Sequence, residues 1–131
     1  MSRAVSMSAG TSAAAQAAGT EPFTAARLAA LRAEGRPVFV NMTAAWCVTC
    51  LINERVALSP APVRQAFAER GIAYLKGDWT RQDPEITAFL RQHARDGVPL
   101  YVFYPAGAAE GRVLPQILTE SAVLSELDPT S

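Results

Sequence analysis

The sequence predicts a single α/β domain in which a central mixed sheet is flanked by helices, and three observations carry that expectation. Short β-branched and aromatic runs over 37–42, 72–78 and 98–104 have the composition of buried strands. Segments with helical apolar spacing lie between and around them. At 131 residues, 50% of them hydrophobic, the chain has the length and the apolar material for one core.

Taken in order, Thr24 caps a helix carrying Ala25, Leu28, Ala29 and Leu31 on or near one face, and Gly35 closes it. Pro37-Val38-Phe39-Val40-Asn41-Met42 is the first central strand, and Thr43-Ala44-Ala45-Trp46 leaves it as a loop. From Cys47 onward Val48, Leu51, Ile52, Val56 and Leu58 recur at helical spacing, so the cysteines open a helix. Ser59 and Pro60 start another, with Val63, Ala66 and Phe67 on its apolar face and Gly71 at its end. A strand over 72–78 follows. Asp83-Pro84-Glu85 then signals a helix through Ile86, Phe89 and Leu90 to about Arg95. The strand over 98–104 comes next, then a Pro/Gly-rich turn through Gly111. Residues 113–118 are expected to pair back as a hairpin, and 122–127 to form a closing helix capped by Thr119 or Ser121. The order is α-β-α-α-β-α-β-β-α, without an internal repeat. Residues 1–20, almost all Ala, Ser, Gly and Thr with one charge at Arg3, read as a disordered linker or expression remnant ahead of a domain over 21–131.

Twelve basic and twelve acidic side chains cancel, and no Lys/Arg cluster appears, which removes the footprint of a nucleic-acid or anionic-membrane binder. No apolar run approaches the roughly 20 residues that cross a bilayer, so no direct membrane insertion is expected.

Cys47 and Cys50 are the whole cysteine supply. Three positions of separation close too small a loop for a useful structural staple. Random placement would give this spacing only about one or two times in a hundred, so a functional pair is favoured. A zinc ribbon needs a second pair of ligands, and only His93 remains, so no metal is expected. Met42 has the wrong spacing for a Met-x-Cys-x-x-Cys copper loop. Thiol–disulfide exchange needs no cofactor beyond the two sulfurs. At the first turn of a helix, free N–H groups and the dipole stabilise a thiolate, which makes Cys47 the attacking sulfur. Cys50, one turn on and more shielded, suits the resolving role.

The segment Val40-Asn41-Met42-Thr43-Ala44-Ala45-Trp46-Cys47-Val48-Thr49-Cys50 resembles the active-site segment of thioredoxin-fold proteins. Gly97-Val98-Pro99 strengthens the resemblance, with Pro99 in the place of the family's cis-proline, which faces the dithiol. Within that family the chain is similar, over about Phe23 to Leu127, to the C-terminal thioredoxin-like domains of DsbD thiol:disulfide interchange proteins. Cys47-Val48-Thr49-Cys50 echoes their Cys-Val-Ala-Cys, Glu54 falls on their helix acid, and Asp78-Trp79-Thr80 with Asp83 resembles their post-strand loop. Asn41 departs from the family, which places a buried Asp there as a proton relay. Leu51 replaces the usual Lys, and Leu100 the usual Thr after the proline.

The resemblance implies a monomeric, periplasmic disulfide-reductase domain of a larger inner-membrane protein. A membrane-embedded dithiol donor domain would reduce it, and it would pass electrons to disulfide-bearing protein domains. It implies pKa tuning or proton relay at Glu54 and Asn41, and partner docking at Trp46, Val98 and Pro99. Two rivals stay open: a stand-alone cytoplasmic thioredoxin, and a redox-inert binding module on the same fold. Trp46 reads equally as packing or contact surface, His93 as a surface residue and Trp79 as loop packing. Spacing alone leaves the direction of electron flow open.

Overall fold

The computed structural model describes residues 19–128. Of the expected linker, residues 1–18 lie outside that range. The elements are β1 (Glu21–Pro22), α1 (Ala25–Ala33), β2 (Val38–Thr43), α2 (Val48–Asn53) running straight into a π-helical turn (Glu54–Leu58), α3 (Ala61–Glu69), β3 (Ala73–Asp78), α4 (Pro84–Gln92), β4 (Leu100–Tyr104), β5 (Arg112–Val113) and α5 (Glu120–Leu127). The strands form one mixed sheet in the order β1-β3-β2-β4-β5. β1 and β2 run parallel to β3, whereas β4 runs antiparallel to β2 and β5.

β2 is buried at each of its six positions because helices cover both faces of the sheet, the usual setting of an apolar run. On one side Leu31, Val40, Leu75 and Phe89 belong to a core shared with α1 and α4. On the other, Phe39, Val63, Phe67, Tyr101 and Val123 belong to a core shared with α3 and α5. Side-chain caps fix the helix starts: Thr24 accepts from the Arg27 amide (3.0 Å), Asp83 from Ile86 (3.3 Å) and Thr119 from Ala122 (3.1 Å).

Three local expectations change. The edge strand β1 has no sequence signal: it is two residues long and is held by pairing with Leu75 and Lys76. The expected hairpin strand over 113–118 shrinks to Arg112–Val113 beside Val102 and Phe103. Leu114 still donates to Tyr101 (2.9 Å), but Pro115 has no N–H to continue the ladder. Helix α4 stops at Gln92 rather than Arg95, because Ala94 turns left-handed (φ 58°) and Arg95 N–H closes back on Leu90 (2.9 Å).

The largest surprise is the orientation of the cysteine helix. Apolar helix stripes ordinarily face the core. Here Val48, Leu51, Ile52 and Val56 of that repeat are exposed and Leu58 alone is buried, while Cys50, Asn53 and Ala57 point inward. Asn53 is fully satisfied in that position: its amide donates to the Tyr101 hydroxyl (2.9 Å) and the Gln116 carbonyl (2.7 Å), and its carbonyl accepts from Leu118 N–H (3.0 Å). One buried side chain therefore ties the cysteine helix to the irregular segment that replaced the expected strand. Asn53→Ala strands those partners and is expected to cost about 2–4 kcal/mol, read as a lower urea midpoint at unchanged m-value.

Candidate redox active site

β2 and β3 set the base of the site. The Trp79 amide donates to the Thr43 carbonyl (2.7 Å), which joins the C-terminal ends of the two parallel strands. From Thr43 the chain turns over Ala44–Trp46, and Cys47 N–H closes on the Ala44 carbonyl (3.1 Å). Cys47 is the N-cap of α2 with extended backbone (φ −91°, ψ 103°), and its Sγ accepts a hydrogen bond from the Cys50 amide at 3.2 Å. Its carbonyl accepts the first helical bond from Leu51 (3.1 Å). An N-cap position favours the anionic form of a sulfur, since the amides and dipole of the first turn point at it.

Cys47 and Cys50 are joined as a disulfide, with Cα atoms 5.2 Å apart. Cys47 keeps 7% of its surface and Cys50 none. Ala44 and the two cysteines form a small cluster of their own, and Val98 packs against it. The Val98–Pro99 peptide is cis. Val98 is the hydrophobic side chain that packs on the cluster, and the Pro99 carbonyl accepts from Arg95 (3.3 Å) and Gln116 (3.5 Å).

Trp46 is 54% exposed beside the disulfide. Its indole N–H donates to the Thr80 carbonyl (3.1 Å), and its ring lies 6.0 Å from that of Trp79. Trp79 itself is buried and donates to Thr87 (2.8 Å). With Val48, Leu51 and Ile52, Trp46 gives the disulfide an apolar, solvent-facing surround.

Beneath α2 lies a polar group that sequence reasoning saw only in part. Asn41 and Glu54 do meet: the buried Asn41 amide donates to the Tyr74 hydroxyl (2.9 Å) and to Glu54 Oε2 (3.4 Å). Lys76 and Tyr74 complete the group, with Lys76 Nζ 3.4 Å from Glu54 Oε1. Neither was singled out from the sequence, although their alternation along β3 was available as a signal, and Lys76 sits beside Asn41 in the sheet register. A cleft of about 500 Å³ lined by Ala44, Ala45, Leu51, Glu54, Lys76 and Asp78 connects Glu54 with the loop that precedes Cys47. Among the described residues no three His, Cys, Asp or Glu side chains converge as a metal site. His93 packs its ring against Phe89 on α4, at 4.5 Å.

A family model described as thioredoxin-like matches residues 20–106, more than half of the chain. The chain belongs to the thioredoxin-like family. Its curated relatives include the "Thiol:disulfide interchange protein DsbD" of Ralstonia nicotianae, 35% identical over 77 residues, and that of Klebsiella pneumoniae, 33% identical over 79. The matches cover 59% and 60% of this thioredoxin-like chain but only 12% and 13% of those proteins. Among solved structures, the oxidised DsbD C-terminal domain of Neisseria meningitidis superposes with a TM-score of 0.63 at 23% identity, covering 80% of this chain and 95% of that one. A Thermus thermophilus thioredoxin superposes at 0.62, also at 23% identity, over 83% of this chain and 85% of its own. At that identity the likeness is one of fold.

Burial pushes the Tyr101 hydroxyl up to about 12 and the Tyr74 hydroxyl higher still, with the nearby Glu54 charge adding to both; burial raises Tyr104 as well. A phenol whose folded-state pKa is raised contributes stability that is fully present below the unfolded value of about 10 and is lost as pH rises above it. Tyrosinate absorbance of the folded protein is therefore expected to stay low past pH 10, while the urea midpoint falls from about that pH upward; normal titration of all three tyrosines near pH 10 in the folded state would contradict it.

Proposed function

We propose that this thioredoxin-like domain is a thiol–disulfide oxidoreductase that acts as a protein-disulfide reductase. The observation that carries the reading is the Cys47–Cys50 disulfide at the mouth of α2, with the more exposed sulfur in the N-cap position.

In the reduced domain the Cys47 thiolate attacks one sulfur of a partner disulfide in line. The partner S–S bond breaks, a mixed disulfide forms, and one partner thiolate leaves and takes up a proton. Cys50 then loses its proton and attacks Cys47 Sγ. The Cys47–Cys50 bond closes and the second partner thiol is released, so two electrons have passed to the partner. Resolution needs an acceptor for the Cys50 proton. Asn41 cannot titrate and burial holds the proton on Tyr74, which leaves Glu54, paired with Lys76, as the base of that group. Asn41 and Lys76 serve to aim it.

Trp46, Val98 and Pro99 form the docking edge in this reading. The Val98 N–H and C=O make no hydrogen bond among the described residues and are offered to a partner strand. The apolar exposure of Trp46, Val48, Leu51 and Ile52 supports a protein partner over a small disulfide. The finer reading is a relay domain of a larger inner-membrane protein: a membrane-embedded dithiol reduces it, and it in turn reduces disulfide-bearing domains in the periplasm. It draws support from the DsbD relatives, of whose length the chain matches about an eighth. Among the described residues no helix is long and apolar enough to cross a membrane.

With dithiothreitol as electron source the domain is expected to reduce insulin. Cys47→Ser should abolish turnover, Cys50→Ser should accumulate a mixed disulfide on non-reducing gels, and Glu54→Gln should slow resolution by about tenfold. Identical behaviour of the two cysteine variants, or a native dithiol inert toward insulin, would return the fold to a binding role.

A further inference from the structure

The turn between β3 and α4 holds the loop that delivers Cys47, and one residue makes most of the contacts. Thr80 Oγ1 accepts the Ala45 amide at 2.8 Å, and the Thr80 carbonyl accepts the Trp46 indole N–H at 3.1 Å. Both residues immediately ahead of Cys47 are thus tied to a single residue more than thirty positions downstream. Thr80 is itself fixed: its amide donates to Asp78 Oδ1 at 3.0 Å, and its hydroxyl donates to the same oxygen. The turn closes where Gln82 N–H meets the Trp79 carbonyl (2.8 Å), and Trp79 is buried in the core.

The hydroxyl gives its proton to a carboxylate and accepts from a peptide N–H, so the two bonds polarise one another in the same direction. The Thr80 contacts hold the Asp78 carboxyl below the ordinary carboxylate range, with Lys76 and Arg81 adding to the effect, so Asp78 is ionised at neutral pH. The loop they restrain is short. Only Cys47 separates Trp46 from the first helical residue, Val48, so slack at residues 45 and 46 is passed directly to the torsions that aim Cys47 Sγ at the Cys50 amide.

We propose that Thr80, backed by Asp78, is a positioning residue for the nucleophile: it holds the 44–46 loop so that the Cys47 sulfur stays at the helix mouth when the disulfide is open. The proposal rests on the redox reading above and adds a residue to it. In the oxidised domain the S–S bond keeps Cys47 in place. In the reduced domain that bond is gone, and the Thr80 contacts with Ala45 and Trp46 take a larger share of holding the loop. Loss of the hydroxyl bond lets the thiolate drift from the helix amides that stabilise it, which raises its pKa and lowers the thiolate fraction at neutral pH.

The test is the pH profile of Cys47 alkylation by iodoacetamide in the full, reduced chain, with the modified residue located by mass spectrometry. Thr80→Val keeps the shape and the carbonyl but removes the hydroxyl. It is expected to move the midpoint of the profile upward by about 0.5 to 1 pH unit and to slow alkylation at pH 7 by about 3- to 10-fold. Thr80→Ser is expected to restore both. Asp78→Asn, which keeps an acceptor but removes the charge, should shift the profile the same way by less, and it supplies the test if Thr80→Val fails to fold. A Thr80→Val profile that overlays the parent's, with only the melting temperature lowered, overturns the proposal while leaving the redox reading intact. A parent chain that cannot reduce insulin overturns both.

Discussion

The hydrogen bond from the Cys50 amide to Cys47 Sγ, 3.2 Å long, exists only if a buried strand, a three-residue loop and a helix start are all in place. β2 brings the chain to the middle of the sheet, where burial on both faces leaves it little freedom. The Ala44 turn then directs Cys47 outward, and α2 begins at the next residue. The same geometry sets the two sulfurs apart. One caps the helix and keeps a sliver of exposure, and the other lies one turn along against the sheet with none. A pair with this asymmetry has one sulfur a partner can reach and one that can only act after the first has reacted.

The underside of α2 departs from ordinary packing. A helix over a sheet gains most by burying its apolar residues. This one turns Val48, Leu51, Ile52 and Val56 to solvent and buries Asn53 instead, next to a group made of Asn41, Tyr74, Glu54 and Lys76. Buried polar groups are tolerable only when they are bonded, and Asn53 meets that condition with three bonds, whereas Asn41 Oδ1 is left without a partner. The π-helical turn over Glu54–Leu58 comes directly after, where Glu54 reaches Lys76 and Asn41. The exposed apolar surface and the buried polar one are two sides of the same reversal.

Much of this was legible in the residues. Pro37–Met42 reads as a buried strand because little in it besides Asn41 demands water, although the structure starts it at Val38 and carries it on to Thr43, and the caps at Thr24, Asp83 and Thr119 mark their helices by chemistry alone. The cysteine spacing, the strand ahead of it and the distant Val98-Pro99 pointed to the candidate site. What stayed hidden depends on contacts across the fold. The strand at Glu21–Pro22 is defined by its partner and by no local propensity. The reach of β5 is set by Pro115, which the apolar character of Val113, Leu114, Ile117 and Leu118 masked. The helical repeat after Cys47 revealed a helix but not which side faces the core, because periodicity has no sign. Thr80 drew attention only as part of a loop motif; its grip on Ala45 and Trp46 spans more than thirty residues and needs the parallel pairing of β2 with β3.

The account stands on unequal sulfurs, and carbon-13 NMR of the two cysteine β-carbons through a pH titration of the reduced protein tests that most directly. It predicts that Cys47 ionises well below the free-thiol value of about 8.5 and at least one pH unit before Cys50. Two thiols titrating together near 8.5, or Cys50 ionising first, would contradict it.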